Sequence, residues 1–387
     1  MKIAYFATIR LPTEKAHGIQ IMKLCEALAL AGHEVTLVTP YRRNTIHQDT
    51  FEYYGVRKNF VIKQIPIPDF IDFGRKGFIL HSLFFGLAIF FYILYKRPKL
   101  VYSRDDIALY FASFTGVQFC YEAHVNRYNY CIRRILKRAA KIVTISSGLK
   151  RFYHGKGVPF ERIAVAPSGV EISDFNLRMT PREAQEKCGL PLDKIIIGYT
   201  GTFKTMGVTK GIETVIDALC ELPENIYFIA VGGNPKDVEE YRQYAARKGV
   251  AFRTFFKDRV PTNQLALYQQ ASEVLLMPFP ALSHYTEYMS PVKMFEYMAS
   301  DRPIVASRLS AITEVLSDEN QKLLQTITKK KPGSIRELAE ITGRKSSNLS
   351  RTLKTLSSYG LVRLEKLDKQ ICPIAKYTKF NVIFGGH

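Results

Sequence analysis

Two charged side chains, Lys293 and Glu296, stand in the otherwise apolar segment "SPVKMFEYMASDRPIVAS", residues 290–307. Ser290 is a helix-capping residue type and Pro291 suits a first helical turn, so the sequence predicts a helix that begins at Ser290. Lys293 and Glu296 are three residues apart and share one helix face near that N-terminus. A helix N-terminus attracts phosphate, and a carboxylate one turn further in can accept hydrogen bonds from sugar hydroxyls. The alternative is an ordinary surface Lys–Glu pair.

These residues need strands and helices to position them, and the chain alternates the two from its start. The segment "KIAYFA" predicts a strand, "HGIQIMKLCEALALAGH" a helix that ends at Gly32, and "EVTLVTP" a second strand. The alternation continues to "RIAVAPSGV", and it restarts near residue 190 and runs to about residue 317. The sequence therefore predicts an α/β fold of two Rossmann-like domains, residues 1–178 and 179–320. A ligand cleft is expected at the carboxyl ends of their strands.

Composition limits the partners and the compartment. The 387 residues are 47% hydrophobic, which suits well-packed globular domains and excludes wholesale disorder. The net charge of +20 predicts anionic partners: phosphate groups, nucleic acid or an acidic membrane surface. The six cysteines are scattered and include no closely spaced pair, which argues against a zinc knuckle or a disulfide framework. We therefore expect a reduced, cytoplasmic setting.

One segment, residues 77–95, is apolar enough to interact with lipid. Its sequence, "GFILHSLFFGLAIFFYILY", carries no formal charge apart from a proton on His81 and approaches the length of a membrane span. Ser82 and Gly86 argue against a span, and "KRP" ends the segment. Three alternatives stay open: a helix packed on the sheet, which is preferred, a helix lying in a lipid surface, and a true span.

The last part of the chain has a different character. Residues 321–387 contain 14 Lys and Arg against 4 Asp and Glu, so a sixth of the chain carries half of the net positive charge. The segments "SIRELAEITG" and "RKSSNLSRTLKTLSSYGLV" predict two helices joined by a tight turn, and "RLEKLDKQICPIAKYT" predicts a hairpin. The sequence thus predicts a third, small α+β module at residues 321–387.

Five segments, in order along the chain, carry a family resemblance. They are "RLPTEKAHGIQIMKLCEALALAGHEVTLVTP", the strand that ends at His124, "IVTISSGLKRFY" with the following "APSGVEISDF", "GYTGTFKTMGVTKGIETVIDAL", and "SPVKMFEYMASDRPIVAS". Residues 1 to about 317 resemble the GT-B nucleotide-sugar glycosyltransferases of family four, the retaining type. The resemblance implies transfer of a hexosyl group from a UDP- or GDP-type donor to a glycan or lipid-linked acceptor, with no metal and no other cofactor.

The resemblance also implies roles for particular residues. A departing diphosphate is stabilised by basic side chains and backbone N–H groups. The implied ligands of the donor diphosphate are Gly18, Lys204, Lys210, Ser290 and Pro291. Lys293 and Glu296 are implied to hold the nucleoside or the sugar. The implied catalytic residues are His124, at the carboxyl end of its strand, and Lys210. The structural alternatives are a loop glycine, a satisfied histidine and solvated lysines.

Two departures from the family pattern stand out. Many members carry a glutamate eight residues before the one that matches Glu296, and here Tyr288 takes that position with Glu287 beside it. The basic position early in the "GTF" loop is Lys204 where many relatives have arginine, and a lysine supplies a point charge instead of a two-pronged fork.

The end of the chain departs further. Where the family continues with helices that complete the second domain, residues 321–387 resemble a winged helix-turn-helix DNA-binding module. The implied core leucines are Leu349, Leu353 and Leu356. The side chains implied to contact double-stranded DNA are Asn348, Arg351 and Lys354. A solvated basic appendage is the alternative.

Three hypotheses follow for the whole chain. The preferred one is a retaining glycosyltransferase, cytoplasmic or peripheral at the inner face of the membrane, because the transferase resemblance covers most of the chain. The second is a DNA-binding regulator that keeps a truncated transferase domain as a sensor or as passive fold. The third is a chance gene fusion. The truncation favours the last two, because loss of the closing helices is expected to expose the second sheet and to loosen domain closure.

Overall fold

A computed structural model describes six stretches of the chain: residues 1–205, 207–312, 318–358, 361–367, 370–375 and 382–384. The chain folds as two compact units, Met1–Ala166 and Pro167–His387. The boundary between them precedes the predicted one at residue 178. The predicted third module lies within the second unit.

The first unit is a parallel sheet with helical connections, as predicted. Its strands are β1 (Lys2–Phe6), β2 (Glu34–Pro40), β3 (Val61–Ile65), β4 (Leu100–Ser103), β5 (Phe119–Ala123), β6 (Lys141–Thr144) and β7 (Ile163–Val165). Its helices are α1 (Ala16–Leu30), α2 (Thr50–Tyr54), α3 (Gly74–Lys96), α4 (Asp106–Ala112), α5 (Tyr130–Arg138) and α6 (Ser147–His154). The strand order is β3-β2-β1-β4-β5-β6-β7, and each pairing is parallel.

The opening βαβ unit shows how the sequence specifies this sheet. Ile21 and Cys25 of α1 are buried in the same apolar cluster as Ile3 of β1 and Val35 of β2. Gly32 has φ +82, a conformation that favours glycine, and it follows the predicted end of the helix. Burial of one helix face against two strands therefore fixes the order of elements that the pattern predicts.

The 23-residue helix α3 packs on the first unit along one side only. Phe85, Ile89 and Ile93 are buried on that side. Gly86 lies so close to α4 that a Cβ there would meet Cδ2 of Phe111 at 2.3 Å. The opposite side of α3 is exposed. Among the described helices, α3 is long and apolar enough to cross a membrane by length and composition alone.

The second unit contains the second parallel sheet and the C-terminal part. Its strands are β8 (Ile195–Thr200), β9 (Lys204–Thr205), β10 (Val208–Thr209), β11 (Ile226–Gly233), β12 (Thr254–Asp258), β13 (Val274–Met277), β14 (Ile304–Ala306), β15 (Val362–Leu367), β16 (Gln370–Ala375) and β17 (Val382–Phe384). Its helices are α7 (Ile172–Phe175), α8 (Pro181–Cys188), α9 (Ile212–Leu219), α10 (Pro235–Arg247), α11 (Thr262–Gln270), α12 (Val292–Ala299), α13 (Asp318–Lys330), α14 (Ile335–Thr342) and α15 (Ser346–Ser358). The parallel order is β12-β11-β8-β13-β14-β17, and the pairs β9–β10 and β15–β16 are antiparallel.

The C-terminal part is integrated into the second unit. The predicted core leucines Leu349, Leu353 and Leu356 are fully buried, in one apolar cluster with Leu275 and Met277 of β13. After the β15–β16 hairpin the chain returns, and β17 pairs with β14 in parallel. The prediction that truncation exposes the sheet is therefore wrong at this edge, because β17 satisfies the backbone groups of β14.

Candidate functional site

The helix predicted to begin at Ser290 begins two residues later. Helix α12 starts at Val292, with Pro291 before its first turn, and no side chain caps it. The Ser290 hydroxyl instead accepts a hydrogen bond from the backbone N–H of Ser168 at 2.9 Å. The predicted cap is therefore wrong, because this hydroxyl ties the start of α12 to the segment that enters the second unit. The N–H groups of Val292 and Met294 in this first turn donate to the Ser290 and Pro291 carbonyls, so what favours an anion here is the positive end of the helix dipole.

Lys293, in the first turn of α12, reaches the carboxyl end of β8. Its Nζ lies 3.7 Å from the centroid of the Tyr199 ring and 5.6 Å from that of Tyr297. A Cβ on Gly201 would lie only 2.7 Å from Nζ, so the ammonium group sits against the backbone there. Gly201 has φ +114, which favours glycine. Lys293 therefore does not form the surface pair with Glu296 that was the alternative prediction.

Glu296 and Gln269 form a polar pair next to β8. Gln269 Nε2 lies 3.4 Å from Glu296 Oε2 and donates to Thr200 Oγ1 at 3.0 Å. Gln269 is fully buried, and its Oε1 has no hydrogen-bond partner. Burial raises the pKa of Glu296, against the opposing effects of the Lys293 charge and the Gln269 hydrogen bond. Glu296 is only half-buried, so its carboxylate offers acceptor atoms to hydroxyl groups of a ligand, while the enclosed Gln269 holds the carboxylate in place.

Lys210 supplies a second ammonium group to the second unit. It precedes Gly211, which has φ +84 and approaches Pro278 so closely that a Cβ would lie 1.7 Å from the Pro278 carbonyl oxygen. Only glycine fits this position, and it sets the turn that leads into α9. The Lys210 Nζ lies 5.9 Å from the centroid of the Phe279 ring, after β13. Burial lowers the pKa of Lys210.

Lys210 and Lys293 together are called the lysine pair. Burial and then the positive charge of Lys210 lower the pKa of Lys293, although the Glu296 carboxylate opposes this. Within the described part of the chain, neither ammonium group has a carboxylate at ion-pair distance. Charges removed from water are normally paired, because desolvation without a partner is costly. The lysine pair therefore fits an anionic ligand with two charges, such as a diphosphate.

Lys204 has a protein partner instead. It lies on β9, and its Nζ pairs with Glu240 Oε1 at 2.6 Å and lies 5.6 Å from the centroid of the Tyr241 ring. Its charge is therefore largely neutralised in the absence of any ligand. Its predicted contact with a diphosphate stays a prediction.

In the first unit, His124 follows β5 directly, as predicted. Its Nε2 lies 2.8 Å from Glu122 Oε1. Burial alone would raise the pKa of Glu122, but the hydrogen bond and charge of His124 oppose it, and the net shift is downward. Glu122 Oε2 is buried without a hydrogen-bond partner. Glu122 therefore orients the histidine ring and leaves Nδ1 for another contact.

Gly18 lies in the first turn of α1. A Cβ there would lie 2.3 Å from Tyr54 Oη and 2.7 Å from Thr13 Cγ2. Tyr54 Oη accepts from the Thr13 N–H at 2.7 Å and donates to the Thr13 carbonyl at 2.8 Å. The absence of a side chain at Gly18 thus lets Tyr54 hold the loop before α1. Its predicted contact with a diphosphate stays a prediction.

Glu122 and Gln269 are site residues that sequence reasoning missed. Glu122 belongs to a strand whose alternating pattern gave no reason to single it out. Gln269 carried a signal, because α11 places it on the same buried side as Ala266. A glutamine at a core position of a helix needs partners, and this marks a site.

The predicted DNA-contacting residues lie on α15. Asn348 and Lys354 are exposed, and the Arg351 side chain lies outside the described residues. Before α15, Gly343 has φ +66 and gives the tight turn after α14. The order of two helices, a turn and a hairpin is as predicted.

Among the residues that the structure describes, no group of three or more His, Cys, Asp or Glu side chains is placed to hold a metal ion. The six cysteines are free.

Family comparisons match both units in turn. The family described as Glycosyltransferase Family 4 matches residues 18–174, and the family described as Glycosyl transferases group 1 matches residues 194–341. The chain has the fold of a GT-B glycosyltransferase. The predicted GT-B fold is confirmed, and each of the two matching families is one of glycosyltransferases. A further family, HVO_A0114, matches residues 315–382.

Individual relatives and solved structures that resemble this chain are also glycosyltransferases or share its fold. It is 30% identical over 177 residues to the D-inositol 3-phosphate glycosyltransferase of Xylanimonas cellulosilytica, a match that covers 43% of this chain and 40% of the relative. The enzyme of that name from Corynebacterium efficiens is 24% identical over 79% of this chain and 74% of its own length. The structure of HepE from Anabaena in complex with UDP and glucose superposes with a TM-score of 0.61 at 15% identity, over 92% of this chain and 97% of that one.

Proposed function

We propose that the chain transfers a hexosyl group from a nucleotide-sugar to a glycan or lipid-linked acceptor, with retention of configuration. The lysine pair is the observation that carries this proposal. Among the described residues, the half-buried ammonium groups of Lys210 and Lys293 have no carboxylate counterion, which is costly unless an anion binds between them. A nucleoside diphosphate supplies the two charges.

The lysine pair also accounts for catalysis. Transfer breaks the bond between the anomeric carbon and the diphosphate oxygen and forms a bond from that carbon to the acceptor hydroxyl oxygen, whose proton passes to the departing diphosphate. Negative charge grows on the diphosphate as its bond to the sugar breaks. Lys210 and Lys293 stabilise the growing charge, together with the positive end of the α12 dipole, which follows Ser290 and Pro291. In this proposal Lys293 therefore binds the diphosphate, whereas the sequence resemblance implied that it holds the nucleoside or the sugar. It supplies the cation that the "GTF" loop lacks, since Lys204 is bound to Glu240.

The other predicted residues keep roles of their own. Glu296, positioned by Gln269, accepts hydrogen bonds from hydroxyl groups of the nucleoside or the sugar. In the first unit, His124 acts as a catalytic residue through Nδ1, and Glu122 positions it. Gly18 keeps its predicted place near the diphosphate. Retention and the absence of a metal rest on the family resemblance.

One solved structure indicates which donor to test first, and the cysteines indicate the compartment. HepE was solved with UDP and glucose, so a UDP-linked hexose is the first donor to test and a GDP-linked one the second. The free cysteines fit the reduced cytoplasm. The acceptor is left as a glycan or a lipid-linked sugar.

Calorimetric titration with UDP, GDP and their hexose conjugates tests the proposal. We expect one donor to bind and both Lys210→Ala and Glu296→Ala to weaken its binding. The matched control Lys204→Ala removes a lysine that already has a partner, and it is expected to bind as the parent does. A folded chain that binds none of these donors would contradict the proposal.

A second function is favoured by a basic groove in the C-terminal part. The groove, of about 670 Å³, lies between α13 and α14 and is lined by Lys322, Lys329, Lys330 and Arg344. Among the described residues that line it, none is a carboxylate. We propose that residues 321–387 bind double-stranded DNA through this groove and the exposed side of α15, as an accessory to transfer.

The DNA proposal has its own test. A fluorescent duplex of mixed sequence should bind the whole chain with an affinity that falls steeply as salt rises. Lys329→Glu with Lys330→Glu should weaken binding, whereas Lys236→Glu, an exposed lysine on α10, should not. Failure to bind the duplex at low salt would contradict it and leave the donor proposal intact.

A further inference from the structure

The side of α3 that faces away from the first unit is a continuous apolar surface. We call it the outer face and define it by Leu80, Leu83, Phe84, Leu87, Phe91 and Leu94. These side chains are between 40% and 59% exposed. They recur every three or four residues, so they form one stripe along the helix. With the neighbouring exposed residues they present on the order of 800 Å² of apolar surface, more than an ordinary monomer exposes in one patch.

The packing of α3 rules out the other modes of membrane contact. Gly86 contacts Phe111 of α4 without room for a Cβ, and Ile89 and Ile93 are buried beneath it. A true span would have to withdraw these side chains from the first unit and surround the helix with lipid. The geometry therefore leaves only the outer face available, as in a helix that lies in the plane of a lipid surface.

Charged side chains at both ends of the helix favour one kind of partner. Arg75 and Lys76 lie at its start, Lys96 and Arg97 at its end, and all four are exposed. The helix itself contains no Asp or Glu. Basic residues that flank an apolar stripe attract anionic headgroups while the stripe enters the boundary of the acyl chains.

The same charges argue against a second copy of the chain. If two outer faces met in antiparallel orientation, Arg75 and Lys76 of one copy would face Lys96 and Arg97 of the other. Parallel packing would also place cations on cations. Both arrangements bring like charges together, and the net charge of +20 adds repulsion between copies.

We propose that the outer face of α3 docks the protein on an anionic lipid bilayer. The helix lies in the interface, with Phe84, Leu87 and Phe91 among the acyl chains and the four basic side chains against the headgroups. Docking does not depend on the proposed transfer activity. If the acceptor is lipid-linked, docking also brings the enzyme to the surface that holds it.

Co-sedimentation with lipid vesicles tests the docking surface. The whole chain is mixed with phosphatidylcholine vesicles and with vesicles in which about a third of the lipid is phosphatidylglycerol. We expect binding to the anionic vesicles, at least tenfold weaker binding to the neutral ones, and weaker binding at high salt. Leu87→Glu with Phe91→Glu should reduce binding at least tenfold. Leu192→Glu, at an equally exposed leucine of the second unit, should leave it unchanged.

Two results would overturn the proposal. One is equal sedimentation of the protein with and without anionic vesicles. The other is a stable dimer in light scattering that Leu87→Glu with Phe91→Glu converts to monomer, because the outer face would then meet a second copy. Thermal unfolding of the variants checks that these exposed substitutions leave the fold intact.

Discussion

The two units treat charge in opposite ways at the residues proposed to act on the donor. In the first unit, His124 Nε2 and Glu122 Oε1 share a hydrogen bond of 2.8 Å. In the second unit, Lys210 and Lys293 repel one another and have no carboxylate partner among the described residues. The first arrangement has its partner within the protein, whereas we propose that a ligand completes the second. Unpaired buried charge is thus a more direct sign of a binding site than the presence of charged residues.

The strongest test of this contrast removes both members of the lysine pair. Lys210→Met with Lys293→Met should lower the rate of donor turnover roughly 10³-fold, because two charge-assisted hydrogen bonds to the leaving group are lost. Turnover is measured as release of the nucleoside diphosphate from the donor. Lys204→Met is the control and should keep the parental rate. If the double variant turned over the donor at the parental rate, the lysine pair would not act on the leaving group and the contrast between the two units would not hold.

The contrast also predicts opposite effects on stability. Glu122→Gln should lower the free energy of unfolding by about 1–2 kcal/mol, because it weakens a buried charge-assisted hydrogen bond. Lys293→Met should raise it by about 1 kcal/mol in the absence of ligand, because it removes a half-buried charge next to another charge. Urea unfolding measures both. Two changes of the same sign would contradict the account.

A smaller effect, on ligand affinity, is expected from Glu296, whose carboxylate is proposed to accept hydrogen bonds from hydroxyl groups of the ligand. Glu296→Gln should weaken binding of uridine and of UDP alike, by about tenfold, because each loses one charged acceptor. Calorimetry of the two ligands measures the change. Glu287→Gln, an exposed glutamate near α12, is the matched control and should have no effect. If Glu296→Gln weakened only UDP, the carboxylate would serve the phosphates indirectly and its proposed role would be wrong.

The smallest expected effect is the change of the unfolding free energy and of the UDP affinity with pH. The pKa values of Lys210 and Lys293 are lowered in the folded chain, so between those values and the ordinary lysine value near 10.4 the unfolded chain binds more protons. The free energy of unfolding should therefore rise with pH across that window, while the affinity for UDP should fall. Unfolding and titration between about pH 8 and pH 10 measure both trends. Lys293→Met should flatten both, and trends that persist in this variant would assign the titration to other groups.

The sequence predicted the parts of the fold that depend on repeated local patterns. The βαβ opening, the restart of the alternation and the leucine core of α15 follow from hydrophobic period, and all are present. Strand β3 was missed because it lies at the edge of its sheet and contains partly exposed and polar residues. The return of the chain as β17 could not be predicted, because pairing with β14 is a long-range contact with no local signal.

At the candidate site, too, the sequence predicted which residues to single out but not their long-range contacts. Lys210, Lys293, Glu296 and His124 were singled out by type and position. The roles of Ser290 and Lys204 depended on partners that only the folded chain shows: the Ser168 N–H and the Glu240 carboxylate. Sequence spacing placed Lys293 beside Glu296, whereas packing on the Tyr199 ring turns its ammonium group toward β8. Residue type alone therefore could not predict these partners in space, and the roles of the residues at the donor stay predictions.

The most direct test of the central claim compares UDP with uridine on the parent, on Lys210→Met, on Lys293→Met and on the double variant. The account predicts that each single change lowers the affinity for UDP about 10- to 100-fold and leaves that for uridine unchanged. The double variant should bind the two ligands with nearly equal affinity. If both single variants bind UDP as tightly as the parent does, the lysine pair does not hold a diphosphate and the proposed function fails.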